Sequence, residues 1–381
     1  MKFLYYDVGD KISNIHLKGE IYGYLRGFLR AGYESILVSG RIFNPPEEGI
    51  RYIETQNEVK GVFSVFYDFL SFIKILLKEQ PDVVWVFHNN ILLPFSVILY
   101  SFLMKLGRNT TIKRGRTIWV LKIDYGGKVV RGQTKLKLYI TRAGYAISSI
   151  FVRFIVIENS CAYSDISKLV IQKRKLRIIP ISYSGDFFKP VPYESTNRKR
   201  VVLSVGRINA DLGLTLLITA FQKIVYDFGD WKLVIVGPKV DDEYFKEVTE
   251  LIHKLGIENK VEFMGYLDDN ELLKLYQTSS IFCRPSIYFA NQAVRLEAAV
   301  NGLPVITSDT GCKEYDSSLG MRVFKHGDVD ELADALKELM SNEKLRAKMS
   351  IEQLKKIAPF DVYVSNIVKE FDVLLHRTGT V

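Results

Sequence analysis

CRPSIYFANQAVRLEAAVNGLPVITSDTGCKE, residues 283–314, is the stretch whose reading decides the fold. It runs from a strand end (SSIFCRPS) through a polar loop into a helix that opens near Asn291 and carries RLEAAVNGLP. A strand, PVITS, and a second small-residue loop, DTGCKE, follow. A helix fed by a loop at the carboxyl end of a strand offers free backbone N–H groups and a positive dipole end to an anion. Glu297 falls two turns into that helix among apolar neighbours, where a carboxylate needs a hydroxyl or a cation as partner. An ordinary crossover helix with Glu297 on its solvated face fits the same spacing.

The strand–helix alternation continues on both sides of this stretch. Upstream lie strand VVLSVGR, a helix over LGLTLLITAFQKIVYDF, strand WKLVIVGP, a helix over DEYFKEVTELIHKLGI, strand KVEFMGY and the helix NELLKLYQTS. Downstream, ELADALKELMSN, NEKLRAKMSIEQLKKIA and DVYVSNIVKEFDVLLHR have helical spacing. The first half opens on the same logic, with MKFLYYDV, a helix stopping at Gly32, and SILVS. The chain of 381 residues is too long for one ordinary core. We therefore expect an α/β protein of two doubly wound, Rossmann-like domains facing a central cleft. The first domain covers 1–189, a structureless connector 190–200, and the second domain 201–360. Ligands of such domains sit at the strand carboxyl ends.

Three scattered cysteines point away from a disulfide framework and toward a reducing compartment. The five histidines never reach metal-ligand spacing, so no metal is expected. The apolar window from Val83 to Leu106 is broken by His88-Asn89-Asn90 and Pro94, and reads as a buried strand, a polar loop and an apolar helix rather than a membrane span.

Charge separates the halves. Residues 1–190 hold 28 Lys+Arg against 15 Asp+Glu, whereas the whole chain is +9. Twelve basic residues and one acid, Asp124, lie between positions 100 and 153. This asymmetry suggests an acidic partner, either an anionic membrane surface or a phosphate-bearing molecule. Nucleic acid is disfavoured, because the basic residues lack aromatic interleaving or a reading-head motif.

The order LSVGR…LLITAF…KLVIVG…KVEFMGYLDDNELLKLYQTSSIFCRPS…LEAAVNGLPVITSDTG…ELADALKELM resembles the donor domain of retaining glycosyltransferases of family 4, on the GT-B fold. The likeness covers about residues 200–350. The first half resembles the acceptor domain of that family more loosely, through LRAGYESILVS and IIPISYSGDFFKP. The resemblance implies a nucleotide-diphosphate sugar as co-substrate, no cofactor, and a lipid-linked, glycan or other membrane-proximal acceptor. It also implies a last helix, from about 361, that packs back on the first domain. The expected location is cytoplasmic, peripheral on the inner face of the cell membrane.

By the same resemblance, Gly206-Arg207 matches the family's Gly-Arg, whose arginine binds the diphosphate, and Glu297 matches the carboxylate that holds the ribose hydroxyls. The implied donor-binding set is Gly206, Arg207, Tyr266, Asn291, Gln292, Ala293 and Glu297. On the acceptor side stand Ser13, Asn14, His16, His88 and Asn89, with Asp124 as acceptor-side base or orienting group. The sequence departs from the pattern twice. Leu212 stands where a second diphosphate-binding lysine is expected, and Phe289 where a first glutamate would contact the sugar. Losing one such cation costs about 1.5–3 kcal/mol of charge-assisted bonding. Arg284, Arg295 and Lys313 are the cations available to replace it, although each also reads as an exposed surface residue. A catalytically silent relative that binds nucleotide sugar or glycan as a scaffold is the alternative. The acidic pairs Asp241-Asp242 and Asp268-Asp269 precede helices and read as N-caps rather than metal ligands.

Overall fold

Runs such as FLYY, VVWVF and IWVLK hold aromatic and β-branched residues without alternation, as strands covered on both faces do. In the computed structural model they become parallel strands of one sheet. The structure describes all residues except 8–10, 13–19, 40, 43–48, 56–61, 88–92, 107–116, 124–134, 196, 288–292 and 378–381. The chain divides into two units, Met1–Ser184 with Pro359–Val381, and Gly185–Ala358.

The first unit begins with β1 (Lys2–Asp7), β2 (Lys11–Ile12), α1 (Glu20–Arg30), β3 (Glu34–Ser39) and β4 (Arg41–Ile42). It continues with β5 (Ile50–Glu54), α2 (Val62–Glu79), β6 (Val83–Phe87) and α3 (Leu93–Leu106). Then come β7 (Ile118–Lys122), α4 (Lys135–Phe151), β8 (Phe154–Ile157), α5 (Ser160–Ile166) and β9 (Leu176–Ile178). The seven-stranded sheet has the order β5-β3-β1-β6-β7-β8-β9. Alternate residues of each strand feed opposite cores. Phe3, Tyr5, Trp85 and Val120 face one layer, while Leu4, Tyr6, Val84 and Leu121 face the other.

The second unit repeats the plan. Its elements are β10 (Val201–Val205), α6 (Leu214–Val225), β11 (Lys232–Val236), α7 (Asp242–Lys254) and β12 (Val261–Gly265). They are followed by α8 (Asp269–Thr278), β13 (Ile281–Arg284), α9 (Ala293–Val300), β14 (Val305–Ser308) and α10 (Lys313–Ser318). The unit closes with β15 (Arg322–Phe324), α11 (Val329–Ser341) and α12 (Glu343–Lys356). Its sheet is parallel in the order β12-β11-β10-β13-β14-β15. Asp241 caps α7 by accepting from the Tyr244 amide, and Asp268 forms a capping box with Glu271 on α8. Both acidic pairs are therefore helix starts. DTGCKE, expected as a loop, turns into α10 at Lys313.

The last helix, α13 (Phe360–Arg377), lies on α1 in the first unit. Two glycines one turn apart on α1 permit this. A Cβ on Gly23 would strike the Phe360 ring, and one on Gly27 would strike Val364. Polar contacts fix the register: the Tyr33 hydroxyl donates to Asp372 at 2.5 Å, and Arg177 Nη2 donates to Glu370 at 2.9 Å.

Two expectations need correction here. Residues 190–200 are not a structureless connector. Tyr193 is buried, and Arg198 donates to the carbonyls of Tyr193, Tyr276, Ser279 and Asn301, tying the segment to the second unit. Lys122 is not part of a basic surface. It is fully buried at the end of β7 and pairs with Glu158 at 3.3 Å. The apolar window resolves into β6 and the 14-residue α3, and among the described residues no helix is long and apolar enough to cross a membrane.

Candidate functional site

Strand order in the second unit reverses between β10 and β13, and a crevice opens at the carboxyl ends of strands where such a reversal occurs. Some of the residues singled out from the sequence lie on elements that end or begin there. Gly206-Arg207 follows β10, Arg284 ends β13, and α9 leaves the loop after β13.

The floor of this edge is backbone. β10, β11 and β12 run directly into or end on Gly206, Gly237 and Gly265. Gly206 N–H donates to the Val236 carbonyl at 2.9 Å and Gly237 N–H to the Gly265 carbonyl at 2.8 Å. Gly237 has φ 142°, and a Cβ there would collide with the Gly206 carbonyl. Only glycine lets these turns stack so closely. Beyond Gly206, the chain turns through Gly213, whose φ is 73° and whose missing Cβ leaves room for the Pro285 carbonyl. Ile287 N–H closes that contact onto the Asp211 carbonyl at 3.1 Å.

Glu297 is not on a solvated face. It is 8% exposed and accepts a hydrogen bond from the Tyr276 hydroxyl at 3.1 Å. Burial, then the Glu297 charge, push the Tyr276 hydroxyl well above its ordinary pKa, so it remains a donor. α9 holds this carboxylate rigidly. Ala, Leu and Glu favour helix, and a Schellman turn ends it, with Gly302 at φ 83° and amides of Gly302 and Leu303 bonded to Ala299 and Ala298 carbonyls.

Three arginines approach the same edge and differ in their partners. Arg207 is exposed. Arg295 is buried and donates to Asp316 at 2.6 Å and to Thr307 at 3.0 Å. Arg284, 9% exposed, bonds the Val205 carbonyl through Nη1 and Ser286 Oγ through Nε at 3.1 Å, with no carboxylate in salt-bridge range among the described residues. Burial, followed by the nearby Arg295, lowers its pKa to about 10, so it stays charged at neutral pH. The expectation that Arg284 and Arg295 are surface residues is thus overturned. Leu212 is 1% exposed and belongs to the core, so this position supplies no cation.

Of the other expected site residues, Ala293 is the first residue of α9 and Lys313 is exposed at the start of α10. Tyr266 is 59% exposed and follows β12, the edge strand two places from β10. Ser13, Asn14, His16, His88, Asn89, Asp124, Phe289, Asn291 and Gln292 lie outside the described residues. Tyr276 was missed from sequence, where it reads as one more apolar position of α8 in NELLKLYQTS.

Comparison with known proteins places this geometry. Residues 188–356 match the family described as glycosyl transferases group 1. An uncharacterized glycosyltransferase of Methanocaldococcus jannaschii is 23% identical over 85% of this chain and 86% of its own. The phosphatidylinositol N-acetylglucosaminyltransferase gpi3 subunit of Schizosaccharomyces pombe is 23% identical over 53% of this chain and 44% of its own length. Among solved structures, Anabaena HepE in complex with UDP and glucose superposes with a TM-score of 0.71 at 14% identity, covering 98% of this chain and 100% of that one. The architecture is that of GT-B glycosyltransferases, two α/β units with parallel sheets.

Proposed function

From a chain that carries a glycosyl transferases group 1 domain, we propose a metal-independent enzyme that moves a sugar from a nucleotide-diphosphate sugar to an acceptor with retention. The observation that carries the reading is the carboxyl edge of β10 and β13. There a glycine floor, two arginines (Arg207 and Arg284) with no carboxylate in salt-bridge range among the described residues, and a tyrosine-held carboxylate lie at the reversal of strand order. In this reading Glu297 accepts the ribose hydroxyls, and Tyr276 keeps it oriented for them. The bond from the anomeric carbon to the diphosphate breaks as the bond to the acceptor hydroxyl forms. The acceptor proton passes to the departing diphosphate oxygen, and Arg207 with helix N-termini stabilises the charge that develops there. Asn291 and Gln292 take the sugar in place of the glutamate that Phe289 replaces, and Asp124 orients the acceptor.

The acceptor is lipid-linked or otherwise membrane-proximal, reached by a peripheral protein at the cytoplasmic face of a membrane. α2, α3 and α4 lie side by side and expose Phe66, Leu70, Phe95, Ile98, Phe102 and Tyr139. Lys105 and Arg142 are exposed among them, so the face combines apolar insertion with attraction to anionic lipid.

Calorimetric titration with UDP, GDP, ADP and their sugar conjugates tests the donor site, repeated on Arg207→Ala and Glu297→Ala. One nucleoside diphosphate binding at micromolar affinity, with both variants losing it, supports the reading. Binding without turnover of any donor turns the reading to the scaffold alternative, which the buried Leu212 favours. Co-sedimentation with vesicles containing anionic lipid tests the membrane face, and equal recovery on neutral vesicles counts against it.

A further inference from the structure

The two buried arginines of the second unit pose different physical problems. Arg295 is neutralised by Asp316. Arg284 bonds only a backbone carbonyl and a serine hydroxyl, Asp211 acts on it only from beyond salt-bridge range, and among the described residues its Nη2 has no hydrogen-bond partner. Taking a charge out of water without a carboxylate in direct contact is unfavourable by itself, and the fold tolerates it where something else completes the set. Its position shows what that is. The guanidinium lies against Gly206, so close that a Cβ on Gly206 would overlap Nη1, and Leu212 closes the other side of the same glycine. Arg207 is the next residue along the chain and one of the charges that Arg284 feels.

We propose that Arg284 is a donor-binding residue of this site, its guanidinium over Gly206, with no carboxylate in salt-bridge range among the described residues, receiving the diphosphate of the nucleotide sugar beside Arg207. This rests on the donor-site reading given above and adds a residue to it. Arg284 supplies from β13 the second cation that Leu212 does not supply from the loop after β10. Gly206 is then required for a reason besides its turn, because any side chain would displace the guanidinium. The ligand group is a diphosphate, whether carried by a nucleoside or free.

The test titrates UDP, GDP, ADP, inorganic pyrophosphate and the bare nucleosides into wild type, Arg284→Met, Arg284→Lys and Gly206→Ala, with the melting temperature of each apo protein. The expected result is a loss of at least tenfold in nucleoside diphosphate affinity for Arg284→Met, with nucleoside affinity unchanged. Arg284→Lys retains most of the affinity, since charge rather than fork geometry is needed. Gly206→Ala mimics Arg284→Met, and the double variant is no worse than either single one. Pyrophosphate following the same pattern assigns the effect to the diphosphate rather than to the base or ribose. Wild-type affinity in Arg284→Met, or a Gly206→Ala loss that adds fully to it, overturns the proposal while leaving the donor site standing. If wild type binds no nucleoside diphosphate, the donor-site reading itself fails and this proposal falls with it.

Discussion

Lys122 and Arg284 each end a parallel strand, β7 in the first unit and β13 in the second, and each is buried. Lys122 meets Glu158 at 3.3 Å and lies 5.5 Å from the centre of the Phe87 ring. Arg284 meets no carboxylate within salt-bridge range among the described residues. One unit neutralises its buried cation internally, and the other leaves the charge open at the edge where a ligand is expected. The difference teaches that burial alone does not distinguish a structural charge from a functional one. The partner does. Removing a structural partner damages the fold, whereas removing a ligand-facing charge damages binding.

The largest effect should come from Glu158→Ala, which leaves Lys122 buried without its acid. We expect a loss of about 3–5 kcal/mol in the stability of the first unit, followed in urea by the fluorescence of its core residues Trp85 and Trp119. Arg284→Met should stay within about 1 kcal/mol of wild type, since the two hydrogen bonds lost are offset by relief of a buried charge with no carboxylate in salt-bridge range among the described residues. Equal losses in the two variants would erase the contrast. Gly27→Val comes next. It drives a side chain into Val364 of α13 and should cost about 1–3 kcal/mol by overpacking. Nucleotide affinity measured by calorimetry should be unchanged, because the lesion lies in the other unit.

Tyr276→Phe sharpens the comparison from the second unit. It removes one hydrogen bond to Glu297 and should weaken nucleotide binding by about 0.5–1.5 kcal/mol. An unchanged dissociation constant would mean that the bond does not serve the ligand. The smallest effect is at Glu79, at the end of α2. Burial alone would raise this carboxyl, but Arg51 at 2.7 Å and Lys2 at 3.4 Å outweigh it and hold its pKa below the ordinary carboxylate value. An acid with a depressed folded pKa contributes stability above its unfolded value and loses it as pH falls through the folded one. Glu79→Gln should therefore remove stability at neutral pH and flatten the acid limb of the stability–pH curve, its cost vanishing once pH falls below the lowered folded pKa of the wild-type carboxyl. A curve parallel to wild type would refute the pairing.

Much of the fold is legible because each sheet is covered on both sides. Buried strands must read as unbroken apolar runs, and IWVLK and KLVIV do. Short elements escaped this signal. β15, three residues long, and α5, seven residues long, carry too few positions to show a period. The docking of α13 followed from resemblance, whereas its physical cause, two small residues on α1, reads in sequence only as helix-weakening glycine. The candidate site is readable in the sequence where it is backbone and motif, at Gly206 and on α9. Arg284 was legible only as one of three spare cations, because sequence shows that a charge exists and not whether a carboxylate reaches it. Tyr276 shows the same limit. Its spacing marks a buried face of α8, and only the fold reveals that its hydroxyl ends on Glu297.

The place of α13 in the chain also carries a consequence for biosynthesis. Phe360, Val364, Ile367, Val368 and Phe371 belong to a core of the first unit, yet all of Gly185–Ala358 is translated before them. At roughly 5–20 residues per second, α1 waits on the order of 10–35 s with its glycine face uncovered after the rest of its unit has left the ribosome. The second unit, contiguous in sequence, can close in that interval. The half of the protein made first is thus finished last, and its open α1 face is where a nascent-chain chaperone has most to protect.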